Sequence, residues 1–268
     1  MASNGTTILM VPGYNEPPAH FEILRDGEDG IPGLTAYGYN CLTFSEADDT
    51  LSDRIDRFAA HIDEMKTQGY KFPLVLLGYS LGGLVVRGFL RRFPHRLDEI
   101  SHTVMISTPN WGVVTLAMPH ITRMLRIPDK AMGDMSLESD FMRWLNNTSG
   151  HWEETHDSRK RIWVLDDEPW TKPEGAKMLT IMGLIPSRGG DNDGLVWGDS
   201  ATLGSRLAAH YVVGPHANHM NIIGHFDPLI MLTKGFLANN RVWPLTLAAM
   251  LKFIEAKPLA RSGASQKV

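Results

Sequence analysis

The stretch that most restricts what this chain can fold into is residues 71–94, KFPLVLLGYSLGGLVVRGFLRRFP. Residues 72–77 form an apolar run of the kind found in a strand buried on both faces. Leu81, Leu84, Val85, Gly88 and Phe89 then recur at helical spacing. Only Gly78-Tyr79-Ser80 lies between the two patterns. Strand and helix therefore meet without a loop, and the residue at the apex of so sharp a turn is driven into a strained backbone conformation. Gly78 and Gly82, two before and two after Ser80, remove the Cβ atoms that would collide as the strand end and helix start approach each other. Ser80 is expected to project alone above the sheet. Leu81 is expected to offer its N–H at a helix start, where unpaired donors and the dipole favour a developing negative charge. An ordinary turn serine is the bland alternative, and the strand-then-helix setting weighs against it.

Other segments repeat the alternation. Residues 6–11 read as a short buried strand, 37–44 as the next, and 51–68 as an amphipathic helix with Leu51, Ile55, Phe58, Ile62 and Met65 on one face. Residues 100–107, 178–184 and 210–214 read as further strands, each followed by a polar or Gly-rich loop. Strands alternating with helices predict a mostly parallel central sheet covered on both faces. A chain of 268 residues suits one large α/β domain spanning residues 1–268. Between about 109 and 177 the alternation breaks down, and Trp111, Trp144, Trp152, Trp163 and Trp170 cluster there. That segment is expected to be an inserted cap or lid over the active end of the sheet. Its tryptophans either anchor it to the core or line a substrate pocket.

Charge and cysteine content exclude several classes. A formal net charge of −4, with no basic run or aromatic-interleaved basic stripe, argues against nucleic acid as a partner. Arg91-Arg92 and Arg159-Lys160-Arg161 are read as solvated faces. The single Cys41, in the strand-like YGYNCLTFS, excludes an intramolecular disulfide and reads as a small core thiol. The start MASNGTTILMVPG has no basic n-region followed by an apolar h-region, which predicts a cytoplasmic protein or one whose leader has been removed. No run is long and apolar enough for a transmembrane segment. The oligomeric state is not read from the sequence.

A serine hydroxyl is a poor nucleophile unless a base takes its proton and a third group orients that base. The chain must therefore supply a histidine and an acid after later strands. SRGGDNDGLVWGDSATL follows one of them and PHANHMNIIGHF another. The first offers Asp191 and Asp193, the second His216, His219 and His225. Asp193 precedes Gly194, which permits the tight turn that aims a carboxylate back at an imidazole. A calcium loop at 191–194 is disfavoured, since Gly189 and Ser200 occupy the positions where acids would stand. His216 and His219 lack a helix to align them and a third ligand, so a metal site is not expected. Hydrogen-bonded structural roles are the bland reading for His216, His225 and His20.

In this order GYSLGG, STPNWG, SLESDFMRWLN, NDGLV and NHMNIIG, spread over most of residues 6–230, resemble the α/β-hydrolase superfamily, and within it the bacterial lipases and carboxylesterases. The resemblance implies an α/β-hydrolase fold with Ser80 as nucleophile, Asp193 as acid and His219 as base. It also implies an oxyanion hole built from the Leu81 amide and a second amide in the loop after the first strand. Relatives usually write that loop His-Gly-x, whereas this chain has Pro12-Gly13-Tyr14. Tyr14 is therefore the candidate, with Asn15 and Glu16 able to line the same pocket. Calcium-dependent relatives carry an acid two residues after the histidine, where Asn221 stands here, so neither metal nor cofactor is expected.

The expected activity is hydrolysis of a small-molecule or lipid carboxylic ester through an acyl-enzyme. The alternatives are thioester or amide hydrolysis by the same three residues, and a catalytically silent member that only binds a ligand. A dinucleotide-dependent oxidoreductase is disfavoured because no G-x-G-x-x-G follows the first strand. An aspartate-nucleophile dehalogenase is disfavoured because Ser80 occupies the elbow.

Overall fold

The structure is a computed structural model. It describes residues 5–14, 18–44, 50–113, 130–147, 150–154, 161–165, 172–184, 193, 196, 200–201, 203, 208–213, 217–219, 221–224 and 242–255. Eight strands matter for the argument: β1 (Thr7–Val11), β2 (Asn40–Thr43), β3 (Leu74–Tyr79), β4 (Ile100–Ile106), β5 (Gly150–Glu154), β6 (Arg161–Leu165), β7 (Met178–Gly183) and β8 (Ala209–Val213). Among the described residues the α-helices are α1 (Glu22–Asp26), α2 (Leu51–Thr67), α3 (Leu81–Arg92), α4 (Lys130–Asp134), α5 (Asp140–Asn146) and α6 (Trp243–Glu255).

Six strands form one sheet in the order β8-β7-β4-β3-β1-β2, and every pairing in it is parallel. From β1 the chain steps outward to β2, then returns to the other side of β1 for β3 and continues away through β4. The direction of strand succession therefore reverses between β1 and β3, and the carboxyl ends of strands beside such a switch point are where open parallel sheets hold ligands.

The strand alternation divides the core between the two faces of the sheet. Leu9, Val11, Leu74 and Leu76 face α2 and α3, in a cluster that takes in the apolar stripe Leu51, Ile55, Phe58, Ile62 and Met65. Ile8, Met10, Val75, Leu77, Tyr79, Val104 and Ile106 face the other way, among Leu24, Trp243, Leu247 and Met250. Helix α2 begins at Thr50, whose Oγ1 accepts the Asp53 N–H at 3.1 Å and donates to the Asp53 carboxylate at 2.6 Å. Such a cap stabilises a helix by about 1 kcal/mol.

Two expectations from the sequence need correcting. Residues 37–44 do not form one strand: Leu34–Tyr37 is a 3-10 turn closed by Gly38 at φ 83°, and pairing with β1 covers only Asn40–Thr43. The aromatic and β-branched character of the segment could not reveal that left-handed stop. Arg91 and Arg92 are not merely a solvated face. Both guanidinium groups stack on Trp144, at 5.1 and 5.2 Å from its ring, and Arg92 also meets Asp56 at 2.8 Å. Cys41 is half-buried against the second cluster, and desolvation pushes its thiol up to about 12.

Within residues 109–177 the structure describes α4, α5 and the antiparallel strand pair β5/β6. Ala131, Met135, Met142 and Leu145 join the first core cluster, and the Asp134 carboxylate accepts the Leu51 N–H at 2.7 Å, at the start of α2. Arg87 of α3 is fully buried, and burial pushes its guanidinium down to about 9. It donates to the Asn110 carbonyl at 2.8 Å, to the Leu145 carbonyl at 3.2 Å and to the Asn146 side chain, binding α3, the loop after β4 and α5 together. No helix among the described residues is long and apolar enough to cross a membrane.

Candidate active site

The site is assembled from the loops that leave the carboxyl ends of the strands. β3 ends at Tyr79 and α3 begins at Leu81, so Ser80 alone makes the turn, at φ 50° and ψ −122°. A non-glycine residue in such a region costs on the order of 1–3 kcal/mol and persists only where the surroundings enforce it. Here the Ser80 N–H donates to the Ile106 carbonyl at 2.9 Å, while the Ser80 carbonyl accepts the Gly83 N–H at 3.1 Å. A Cβ on Gly78 would stand 2.5 Å from the Gly83 Cα, and one on Gly82 would stand 2.1 Å from the Val11 carbonyl oxygen. Gly82 thus lets the end of β1, which leads through Pro12 and Gly13 to Tyr14, press against the start of α3.

Ser80 occupies the N-cap position of α3 without capping it, so its hydroxyl is turned elsewhere. Its Oγ lies 3.0 Å from Nε2 of His219, a residue 139 positions further along the chain. Nδ1 of the same imidazole lies 2.8 Å from Oδ2 of Asp193. A carboxylate accepts but cannot donate, so Nδ1 carries the proton and Nε2 presents its lone pair to the serine hydroxyl. His219 is 5 % exposed and Asp193 1 %. The imidazole–carboxylate contact is thus buried, while the imidazole–serine contact is part-buried.

Each partner is fixed by its own local structure. The second Asp193 oxygen, Oδ1, accepts the Val196 N–H at 2.8 Å, and the Asp193 N–H donates to the Val196 carbonyl at 3.2 Å. The two loops join directly, since the His219 N–H donates to the Asp193 carbonyl at 2.9 Å. Gly183, at the end of β7, admits both, because a Cβ there would stand 2.4 Å from the Ala217 carbonyl oxygen and 3.2 Å from the Asp193 Cβ. Beside His219, Asn218 and Asn221 exchange reciprocal bonds of 2.8 Å, each side-chain oxygen accepting the other's backbone N–H. That exchange closes the turn carrying the imidazole.

Burial by itself would push the Asp193 carboxyl up. The electrostatic and hydrogen-bonding interactions with the His219 imidazole, together with the Val196 N–H, outweigh it and hold the group below the usual carboxylate range. The buried Ser107 hydroxyl, at the end of β4, adds to the same effect, though it lacks the geometry of a full hydrogen bond.

The structure thus brings together Ser80, His219 and Asp193 of the expected set. Leu81 is the first residue of α3, so its N–H has no partner within the helix. Tyr14 sits in the turn after β1, half-buried against the first core cluster. Asn15, Glu16, Asp191, His216 and His225 lie outside the described residues. His20 is half-buried in the 3-10 turn before α1. Among the described residues no group of three His, Cys, Asp or Glu side chains is placed to hold a metal ion. Sequence reasoning missed Tyr79, Ser107 and the Asn218–Asn221 exchange. Only the last left a local trace, in the N-x-x-N spacing around the histidine.

Similarity to known proteins is distant at the level of structure. The mature lipase BlEst2 of Bacillus licheniformis superposes with a TM-score of 0.56 at 16% identity, over 88% of this chain and 94% of that one. The metagenomic carboxyl esterase MGS0156 gives 0.60 at 16% identity, over 95% and 76%. The phospholipase PlaB of Legionella pneumophila gives 0.56 at 16% identity, over 94% and 60%. At such identities the likeness establishes the fold. A comparison with curated protein sequences finds no match. The model of the alpha/beta hydrolase family, however, matches residues 8–230. With that match spanning the parallel sheet, the glycine-flanked elbow and the loops that meet above it, the chain belongs to the alpha/beta hydrolase family.

Proposed function

We propose that the protein is a serine hydrolase that cleaves carboxylic esters through an acyl-enzyme. The observation that carries this reading is the relay from Ser80 Oγ through both nitrogens of His219 to the buried Asp193, at 3.0 and 2.8 Å. A side chain in so strained a backbone position, aimed at an imidazole rather than at its own helix, is arranged for nucleophilic attack.

In the proposed reaction, Ser80 Oγ attacks the ester carbonyl as His219 Nε2 takes its proton, forming a tetrahedral oxyanion. Asp193 holds the imidazole with Nδ1 protonated and stabilises the imidazolium. The Leu81 and Tyr14 amides receive the oxyanion, a contribution worth roughly 3–4 kcal/mol per donor in comparable sites. His219 returns the proton to the leaving alcohol, the acyl-serine forms, and a water activated by the same imidazole releases the acid. Proton and electron pair are balanced within these residues, and no cofactor enters. Residues 109–177 are read as a cap over this end of the sheet, which would set the acyl and alcohol preference. The substrate is a small-molecule or lipid ester.

The test is a panel of nitrophenyl esters from acetyl to palmitoyl, run on the wild-type protein and Ser80→Ala, with labelling by a fluorophosphonate probe. Hydrolysis and Ser80-dependent labelling are expected. Labelling without ester turnover would move the reading to thioesters or amides, and absence of labelling would leave a ligand-binding protein.

A further inference from the structure

The alternation along β3 sends Val75, Leu77 and Tyr79 to the same face of the sheet, among the residues of the second core cluster. Ala217, Ile222 and Ile223, which flank His219, belong to that cluster as well. Tyr79 therefore stands beneath the histidine loop, although 140 positions separate it from His219. Its ring is fully buried, with the Phe21 edge against it at 6.3 Å and 81°. The imidazole of His219 lies over the ring at 5.2 Å and a tilt of 38°. The Tyr79 hydroxyl donates to the His219 carbonyl at 2.6 Å.

A phenylalanine would fill the same apolar space, and a buried phenol is tolerated only when its hydroxyl is bonded. The bond made here goes to the backbone of the proton-transferring residue, not to a neighbour chosen for packing. With it the His219 backbone is held at both ends, its N–H by the Asp193 carbonyl and its C=O by Tyr79. One end is tied to the acid. The other is tied to the residue that directly precedes the nucleophile.

We propose that Tyr79 is a positioning residue for the base, setting the height of the His219 imidazole against Ser80 Oγ from within the nucleophile elbow itself. The proposal rests on the serine-hydrolase reading of the site. The strand–turn–helix unit then carries the nucleophile and the gauge for its base on adjacent residues, so any displacement of β3 moves both together. Misplacing a reacting group by about 1 Å can cost on the order of a hundredfold in rate, which sets the scale of the effect.

The test is Tyr79→Phe, measured on a nitrophenyl ester beside wild type and Ser80→Ala. We expect kcat to fall by about ten- to a hundredfold with KM within about twofold. The low-field NMR resonance of the His219 Nδ1–H should shift or broaden, and the pH midpoint of kcat should move, while the circular dichroism spectrum stays native. A merely structural tyrosine would leave the resonance, the pH midpoint and the rate per folded molecule unchanged, and that result overturns the proposal. Should Tyr79→Phe not fold, the wild-type protein decides. A slowly exchanging Tyr79 hydroxyl proton with a nuclear Overhauser contact to His219 supports the proposal, and a rapidly exchanging one refutes it. If wild type hydrolyses no ester, the esterase reading fails by itself, and the Nδ1–H resonance still reports whether Tyr79 positions the imidazole.

Discussion

Asp193→Asn tests the relay most sharply, because the structure dictates how the new amide must sit. The Val196 N–H donates to Oδ1 and His219 Nδ1 faces Oδ2. An amide has one oxygen and one nitrogen for these two places, and at 1 % exposure no water can make up a mismatch. If the nitrogen faces Val196, two donors meet, which costs about 1–3 kcal/mol for the unsatisfied buried group. If the oxygen faces Val196, both places are satisfied, but the NH₂ then donates to Nδ1. The second arrangement wins, and it forces the imidazole proton onto Nε2. That nitrogen can no longer accept a proton from Ser80. The fold should be nearly unaffected while kcat falls by about 10⁴-fold, as expected for a wrong tautomer, corresponding to about 5 kcal/mol of transition-state stabilisation. KM should change little, because ester binding does not use the tautomer. The assay is kcat and KM on a nitrophenyl ester near neutral pH, with thermal unfolding as the control for folding. Retention of more than about 1% of the wild-type kcat by a folded variant refutes the tautomer argument, given that scale of loss.

The other expectations follow from single local contacts. Ser80→Ala should lose several orders of magnitude in ester hydrolysis and remain folded, and Ser80→Gly should be equally inactive yet more stable than Ser80→Ala by about 1 kcal/mol, since glycine accepts φ 50° without strain; thermal melts of the two rank them. Gly82→Ala should cost at least about 2 kcal/mol and most of the activity, because its Cβ would meet the Val11 carbonyl at 2.1 Å and neither backbone can yield freely; an unchanged melting temperature would contradict this. His102 is 8 % exposed, neither ring nitrogen has a hydrogen-bond partner among the described residues, and desolvation, with a smaller contribution from Lys177, pushes it down to about 4. Its neutral form is therefore favoured by folding, the stability it confers is complete above about pH 6.5, and about 3 kcal/mol is lost as pH falls to about 4; denaturant unfolding across that window should show the loss, and His102→Leu should flatten it. Activity should survive a chelator, since the Asn221 side-chain oxygen is engaged by the Asn218 N–H and is a neutral ligand for a hard cation; loss in EDTA with recovery in calcium would overturn this.

Local signals made much of the molecule legible. The elbow could be read because a strand, a strained turn and a helix within residues 71–94 each leave a mark on adjacent residues: an apolar run, glycines at fixed offsets, a helical apolar stripe. The length of α2 was written in its stripe, whereas its Thr50 cap was found only in the structure. Where a backbone reversal left no such mark, at Gly38, the strand was drawn too long. The pairings that make the site are of another kind. Nothing in the residues around Asp193 or His219 names the other as its partner, and motif resemblance pointed to them before geometry brought them together. That Arg91 and Arg92 stack on Trp144, that Arg87 binds α3 to α5, and that the Tyr79 hydroxyl reaches the His219 carbonyl were decided only when the chain closed. Periodicity and turn chemistry are properties of neighbours in sequence. Contacts across 139 or 140 positions arise from sheet order and loop direction, which no local pattern encodes.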